Sequence, residues 1–248
     1  MKNLIKSYLC VMLFSALSVS AQETFSGTLS GWDSGDAQVV SMGGEPVPVG
    51  TINELGEFII PLENNFLEKI ESAMKAFNEG PQSGSWKLNT LSRAFSCYQD
   101  TLEISNGDQK AATLATFGGT FALANVKEKE LLGHFMVVNS LDFVRAVSTY
   151  SEMNAVQGYY LDWYFVEEPA KILGKCNTKT YAMNQEEFYN ELKVYELDFK
   201  QGWNLVKVSA EGIFTDKDDN RYVSKWVYST IPEIPENAKY LYFPEEKR

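Results

Sequence analysis

Gly158-Tyr159-Tyr160-Leu161-Asp162-Trp163-Tyr164-Phe165-Val166 is the stretch from which the rest of the chain is best read. Its alternation puts Tyr159, Leu161, Trp163 and Phe165 on one face of a strand and Tyr160, Asp162 and Tyr164 on the other. The first set reads as core. The second is either a sheet surface, where two tyrosines flanking a carboxylate stack on sugar rings, or the other buried face of a two-layered sheet.

Working outward, the strand signals continue. Tyr195, Leu197 and Phe199 face away from Glu196, Asp198 and Lys200, and Lys200-Gln201-Gly202 reads as a hairpin turn into Trp203 to Ala210. Arg221 to Ser229 carries Tyr222, Trp226 and Tyr228 on one face. Earlier, Thr101 to Ser105, Gln109 to Phe117, Thr120 to Val126, Leu131 to Val138 and Leu141 to Val147 also read as strands, and the Pro-containing tail as extended and packed. Residues 24–62 form a meander of short strands broken by Gly31, Gly35, Gly43-Gly44 and Asn53 to Gly56. The period then changes. Phe66, Ile70, Ala73 and Phe77 share a helical stripe with Leu67 and Met74, capped by Asn64 or Asn65 and ended by Gly80-Pro81. Leu88, Leu91, Phe95 and Tyr98 mark a second short helix that delivers Cys97.

The expected fold is therefore mainly β, an antiparallel β-sandwich with one or two short amphipathic helices. Its expected parts are a meander over 22–62, a helix and linker over 63–85, and a larger sandwich over 86–248. Forty residues are few for a complete sandwich, so pairing of the meander with later strands, which would make one core out of two, stays open.

Phe25 to Trp32, Ala37 to Val40 and Leu55 to Leu62 resemble the strand-turn-strand pattern of carboxypeptidase-regulatory-like or transthyretin-like β-sandwich modules. With Leu197 to Val206 they are also similar to a group of uncharacterised bacterial secreted proteins. The resemblance spans about 60 residues. It implies a non-catalytic surface or periplasmic module and transfers no catalytic residue.

Residues 1–21 read as a Sec signal peptide: Lys2 and Lys6 precede an apolar run from Tyr8 to Leu17, and Val19-Ser20-Ala21 supplies the cleavage site. That run is too short to span a membrane. The expected destination is the periplasm, the outer surface or the medium. Cleavage before Gln22 takes the formal charge from -11 to -13, because it removes two Lys and no acid. A chain of that charge, without a Lys/Arg cluster, has no electrostatic footprint for nucleic acid. Cleavage also removes Cys10 and leaves Cys97 and Cys176 in an oxidising compartment, where a structural disulfide is expected. Two buried thiols or a reactive or metal-binding pair are the alternatives.

The chemistry-bearing residues are few. His134 is the single histidine, no serine sits in a Gly-x-Ser-x-Gly elbow, and no zinc or haem spacing exists. Asp216, Asp218 and Asn220 imitate the start of an EF-hand loop, but Arg221 stands where Gly is required and Val227 where the bidentate Glu belongs. A looser Ca site and a plain hairpin tip both fit; no other cofactor is expected. Glu167-Glu168 is one acidic pair among 33 acids. The expected function is binding or structural, with a protein or glycan partner and Tyr160, Asp162 and Tyr164 as candidate contacts. A carboxylate-dependent, glycosidase-like hydrolase is the alternative, and a Ca-stabilised adhesin-like module the third reading.

Overall fold

A computed structural model describes residues 24–42, 44–81, 85–116, 118–148 and 154–245. The signal-peptide segment 1–21 and the centre of the 80–85 linker lie outside them. Fourteen strands run in chain order: β1 (Thr24–Thr28), β2 (Ala37–Met42), β3 (Pro46–Ile52), β4 (Glu57–Pro61), β5 (Glu103–Ser105), β6 (Ala111–Thr113) and β7 (Thr120–Asn125). Then come β8 (Glu130–Val138), β9 (Gly158–Val166), β10 (Ala170–Tyr181), β11 (Phe188–Phe199), β12 (Gly202–Thr215), β13 (Arg221–Ile231) and β14 (Lys239–Pro244). Helices α1 (Phe66–Glu79), α2 (Leu91–Ala94) and α3 (Leu141–Ser148) complete the order. The fold is mainly β.

All strands belong to one mixed sheet of order β1-β4-β3-β2-β7-β8-β9-β12-β13-β11-β10-β5, with β14 pairing β8 and β6 pairing β9. The layers of the sandwich are parts of this one sheet rolled over itself. β1 and β9 are six places apart, about 29 Å in a flat sheet, yet the rings of Phe25 and Trp163 stack at 3.9 Å. Between the layers, Phe25, Phe58, Phe121 and Phe135 pack with Leu161, Trp163 and the Phe66, Ile70 stripe of α1. Residues from both ends of the chain enter this core, including Tyr242 of β14.

Three local readings change. Leu141–Ser148 is a helix rather than a strand: Phe143 N–H bonds the Ser140 hydroxyl at 3.1 Å, a cap, and Phe143 and Val144 go into the core. β11 and β12 are joined by the expected tight turn, with Gly202 at φ 88°, but are not a hairpin. β13 lies between them, antiparallel to β12 over ten register pairs and parallel to β11 over five. The β12–β13 hairpin pairs over ten register positions, whereas 193–199 offers only seven residues to pair with 203–210. Finally, Ala170–Tyr181, to which the sequence pattern assigned no element, is a twelve-residue strand; it lacks apolar alternation around Gly174, Lys175 and Asn177.

β9 is buried on both sides. Tyr159, Leu161, Trp163 and Phe165 enter the aromatic core, while Asp162 is only 4% exposed on the opposite face. On that opposite face two groups of side chains cover the sheet. Leu91 and Phe95, from α2 and its end, pack on Ile172, Tyr195, Leu197 and Phe199. Phe143 and Val144 of α3 pack on Met136, Val138 and Ala210. Tyr160 and Trp226 border both clusters.

Candidate functional site

Where the two covers fail to meet, a cleft of about 770 Å³ opens beside Tyr160 and Trp226. α3 contributes Ala146 and Val147, the segment before β9 contributes Ala155 and Val156, and β8 contributes His134 and Met136. β13 adds Val223 and Trp226, β11 adds Tyr189 and Glu191, and β14 adds Phe243. Thr116 and Gly118 of the β6–β7 loop and Thr120 at the start of β7 form a rim. Apolar walls with a few polar groups are the usual composition of a small-molecule site.

The rim is fixed from below by Asp162. Its carboxylate accepts the N–H of Trp163 at 2.8 Å and also the N–H groups of Ala115 and Gly119. Burial pushes this carboxyl up to about 7, and those three donors offset only part of the shift. Gly119 has φ 74°, and a Cβ there would stand 2.3 Å from the Tyr160 ring, so the loop can cross β9 only as glycine. Asp162 thus supports the cleft from behind its wall. Its oxygens are turned toward backbone rather than toward a ligand.

Tyr160 reaches the cleft; Tyr164 lies deeper, its ring 5.5 Å from that of Phe95. Phe95 also meets the rings of Tyr195 at 5.9 Å, Phe199 at 6.2 Å and Tyr228 at 6.4 Å. The hydroxyls of Tyr160, Tyr164, Tyr195 and Tyr228 have no protein hydrogen-bond partner among the described residues, and none is sealed from solvent. Burial raises the pKa of all four, so they are neutral phenols. The nearby Glu191 carboxylate adds to the rise at Tyr195 and Tyr228.

The carboxylate that lines the cleft, Glu191, is locally paired. Lys193 Nζ is 3.0 Å from Glu191. His134 Nδ1 lies 3.9 Å from Glu245, and desolvation lowers its pKa despite that carboxylate. His134 is therefore a neutral donor or acceptor at pH 7.

The Cys97–Cys176 pair is disulfide-bonded, with 5.8 Å between the Cα atoms and a sequence separation of 79. It ties the chain following Phe95 to β10. Tyr98, expected on the apolar stripe of the second helix, is fully exposed instead, because the helix ends at Ala94. Cys97, Asp100 and Cys176 are also the sole cluster of metal-ligating types among the described residues, and both sulfurs are already bonded to each other. The disulfide fits an extracellular or periplasmic setting; among the described residues no helix is long and apolar enough to cross a membrane.

Asp216, Asp218 and Asn220 come together at the β12–β13 tip. Asp216 Oδ1 accepts the N–H groups of Asp218 and Asn220, each at 2.9 Å. Its Oδ2 accepts Asn220 Nδ2 at 3.1 Å, the Tyr222 hydroxyl at 3.0 Å and Asn184 Nδ2 at 3.4 Å. Burial works to raise this pKa, but the donors outweigh it and hold the carboxylate below its usual range. The arrangement is a carboxylate closing a turn on itself.

Sequence reasoning singled out Tyr160, Asp162 and Tyr164 but not Glu191, Val156 or Phe243. Alternation can assign a face; it does not reveal that β13 is inserted beside β11, which brings Trp226, Tyr228 and Glu191 together. No protein-family model, curated protein or solved structure matches the chain.

Proposed function

We propose that this chain is an exported, non-catalytic binding module that holds its ligand in the cleft beside Tyr160 and Trp226. The observation that carries the reading is the cleft itself, about 770 Å³, mainly apolar and lined from six strands, a helix and two connecting segments. The resemblance to transthyretin-like secreted modules agrees with a binding role. A carboxylate-dependent hydrolase would need two carboxyls addressing one bond. Here Glu191 faces the cleft paired with Lys193, whereas Asp162 is spent on backbone N–H groups behind the wall. For the same reason the proposed ligand is a small molecule rather than a glycan resting on Tyr160, Asp162 and Tyr164.

The test uses the exported form, residues 22–248, and the neutral fluorophore N-phenyl-1-naphthylamine. Its emission should rise saturably with the wild-type protein and should not rise with Val156→Trp, which fills the cleft, provided the two give the same circular dichroism. Equal binding by the two proteins, or none by wild type, overturns the proposal.

A further inference from the structure

The edges of the sheet are guarded unequally. A strand edge presents unpaired N–H and C=O groups, and proteins blunt such edges with proline, short strands or a covering segment. β5, the last strand in the sheet order, has three residues. The part of β3 that does not pair with β4 carries Pro46 and Pro48. Just past β1, the N–H of Ser30 is taken by the Tyr240 carbonyl of β14 at 3.0 Å.

The outer end of β10 has none of these devices. β5 covers only Lys171 to Leu173, and further along the Asp100 carboxylate accepts the Asn177 N–H at 2.7 Å. The Lys171 N–H likewise points away from β11, to the Ser105 hydroxyl at 3.0 Å. Outward groups recur at every second residue of an antiparallel ladder. Lys179 and Tyr181 therefore turn their N–H and C=O groups outward as well, and these have no partner among the described residues. A lysine on an edge ordinarily repels an added strand, but Lys179 lies back across β11, its Nζ 3.9 Å from the centre of the Phe188 ring. Tyr181 and Phe188 pack ring to ring at 4.0 Å, and with Met183 they leave an exposed apolar patch beside the open edge.

Register decides what fits there. A second copy running antiparallel about a two-fold axis at Lys179 opposes Lys179 to itself, and an axis at Asn177 opposes Lys175 to Lys179; both set like charges face to face. An axis at Thr178 needs the Asn177 N–H, which Asp100 holds. One at Tyr181 or beyond needs the Met183 N–H, which the Tyr222 hydroxyl accepts at 3.1 Å. An axis at Thr180 meets none of these obstacles. It sets Lys179 of each copy against Tyr181 of the other, each pair exchanging both main-chain bonds, with Thr180 facing Thr180 between them. The two apolar patches then share one face of a continuous sheet.

We infer that this edge joins two copies of the chain, antiparallel over 178–181 about an axis at Thr180. Sedimentation equilibrium of residues 22–248 over about a hundredfold range of concentration should show the mass doubling. Association should strengthen with salt, because each exported chain carries a formal charge of -13. Lys179→Pro removes an N–H that the monomer's own ladder does not use, and should stay monomeric throughout with the circular dichroism of wild type. Thr180→Cys should cross-link into a dimer in glutathione disulfide, because facing residues of such a pair stand about 4.5 Å apart at Cα, within disulfide reach. Thr178→Cys should not. The inference is overturned if Lys179→Pro associates as wild type does, or if Thr178→Cys cross-links as readily as Thr180→Cys. A wild type that stays monomeric also overturns it, and leaves the edge to a strand of another protein.

Discussion

Replacing Asp162 with Asn should remove a specific part of the protein's pH dependence. In the folded chain the Asp162 carboxyl titrates at about 7 instead of 3.8, because burial outweighs the three N–H donors. The folded state therefore holds this proton more tightly than the unfolded state does. Stability is highest below the unfolded value, falls as pH rises through the interval between the two values, and levels off above about 8. Between pH 5 and pH 8 the loss is on the order of 3 kcal/mol, because stability falls by about 1.36 kcal/mol per pH unit until the folded carboxyl ionises near pH 7. Other acids titrate over the same range, so the quantity to measure is the difference between wild type and Asp162→Asn. Urea unfolding of residues 22–248 at half-unit intervals from pH 5 to 8 gives it. The variant lacks one acceptor for the N–H groups of Ala115, Gly119 and Trp163, and should be less stable than wild type at pH 5. That deficit should shrink or reverse by pH 8. A difference that stays constant across the range would refute the buried, proton-holding carboxyl.

Three other outcomes follow from the same contacts. Intact-mass analysis after non-reducing alkylation should show no label on Cys97 or Cys176, and replacing both by Ser should cost about 4 to 5 kcal/mol in the chain-entropy account for a closed loop of this length. Phe95→Ala should cost about 3 to 5 kcal/mol, since its ring fills the space between Tyr164, Tyr195, Phe199 and Tyr228, and tyrosine exposure measured by solvent-perturbation absorbance should rise. At the β12–β13 tip both Asp216 oxygens are occupied by N–H and O–H donors, so the calorimetric melting temperature should be the same with added Ca and with EDTA. A shift of several degrees would restore the Ca-stabilised reading.

Much of the fold was legible because the local signals were strong. The Phe66, Ile70 and Met74 stripe of α1 and the alternation through β9 each admit one buried face or two, and the structure uses them as read. Leu141 to Val147 failed because a short apolar run satisfies either period, and the Ser140 cap that decides it spans one hydrogen bond. β10 failed because its twelve residues gain their place through pairing with β11 rather than through an apolar pattern. The order β12-β13-β11 is a non-local choice, and the cleft depends on it. Tyr160 and Trp226 were visible as aromatic rows on two strands; their meeting was not. Asp162 carried a sequence signal, a carboxylate amid aromatics, whose meaning changed once Ala115 and Gly119 were found above it.

The central claim is that ligand enters beside Trp226. The most direct measurement is the set of five tryptophan indole N–H resonances of residues 22–248, assigned by single Trp→Phe variants and followed while N-phenyl-1-naphthylamine is added. Trp226 lines the cleft, Trp163 is buried on the other face of the sheet, and Trp32 and Trp203 hold hydrogen bonds away from it. Binding in the cleft predicts a saturable shift of the Trp226 signal with the other four unmoved. A shift at Trp32, Trp86, Trp163 or Trp203 with Trp226 unmoved would contradict it.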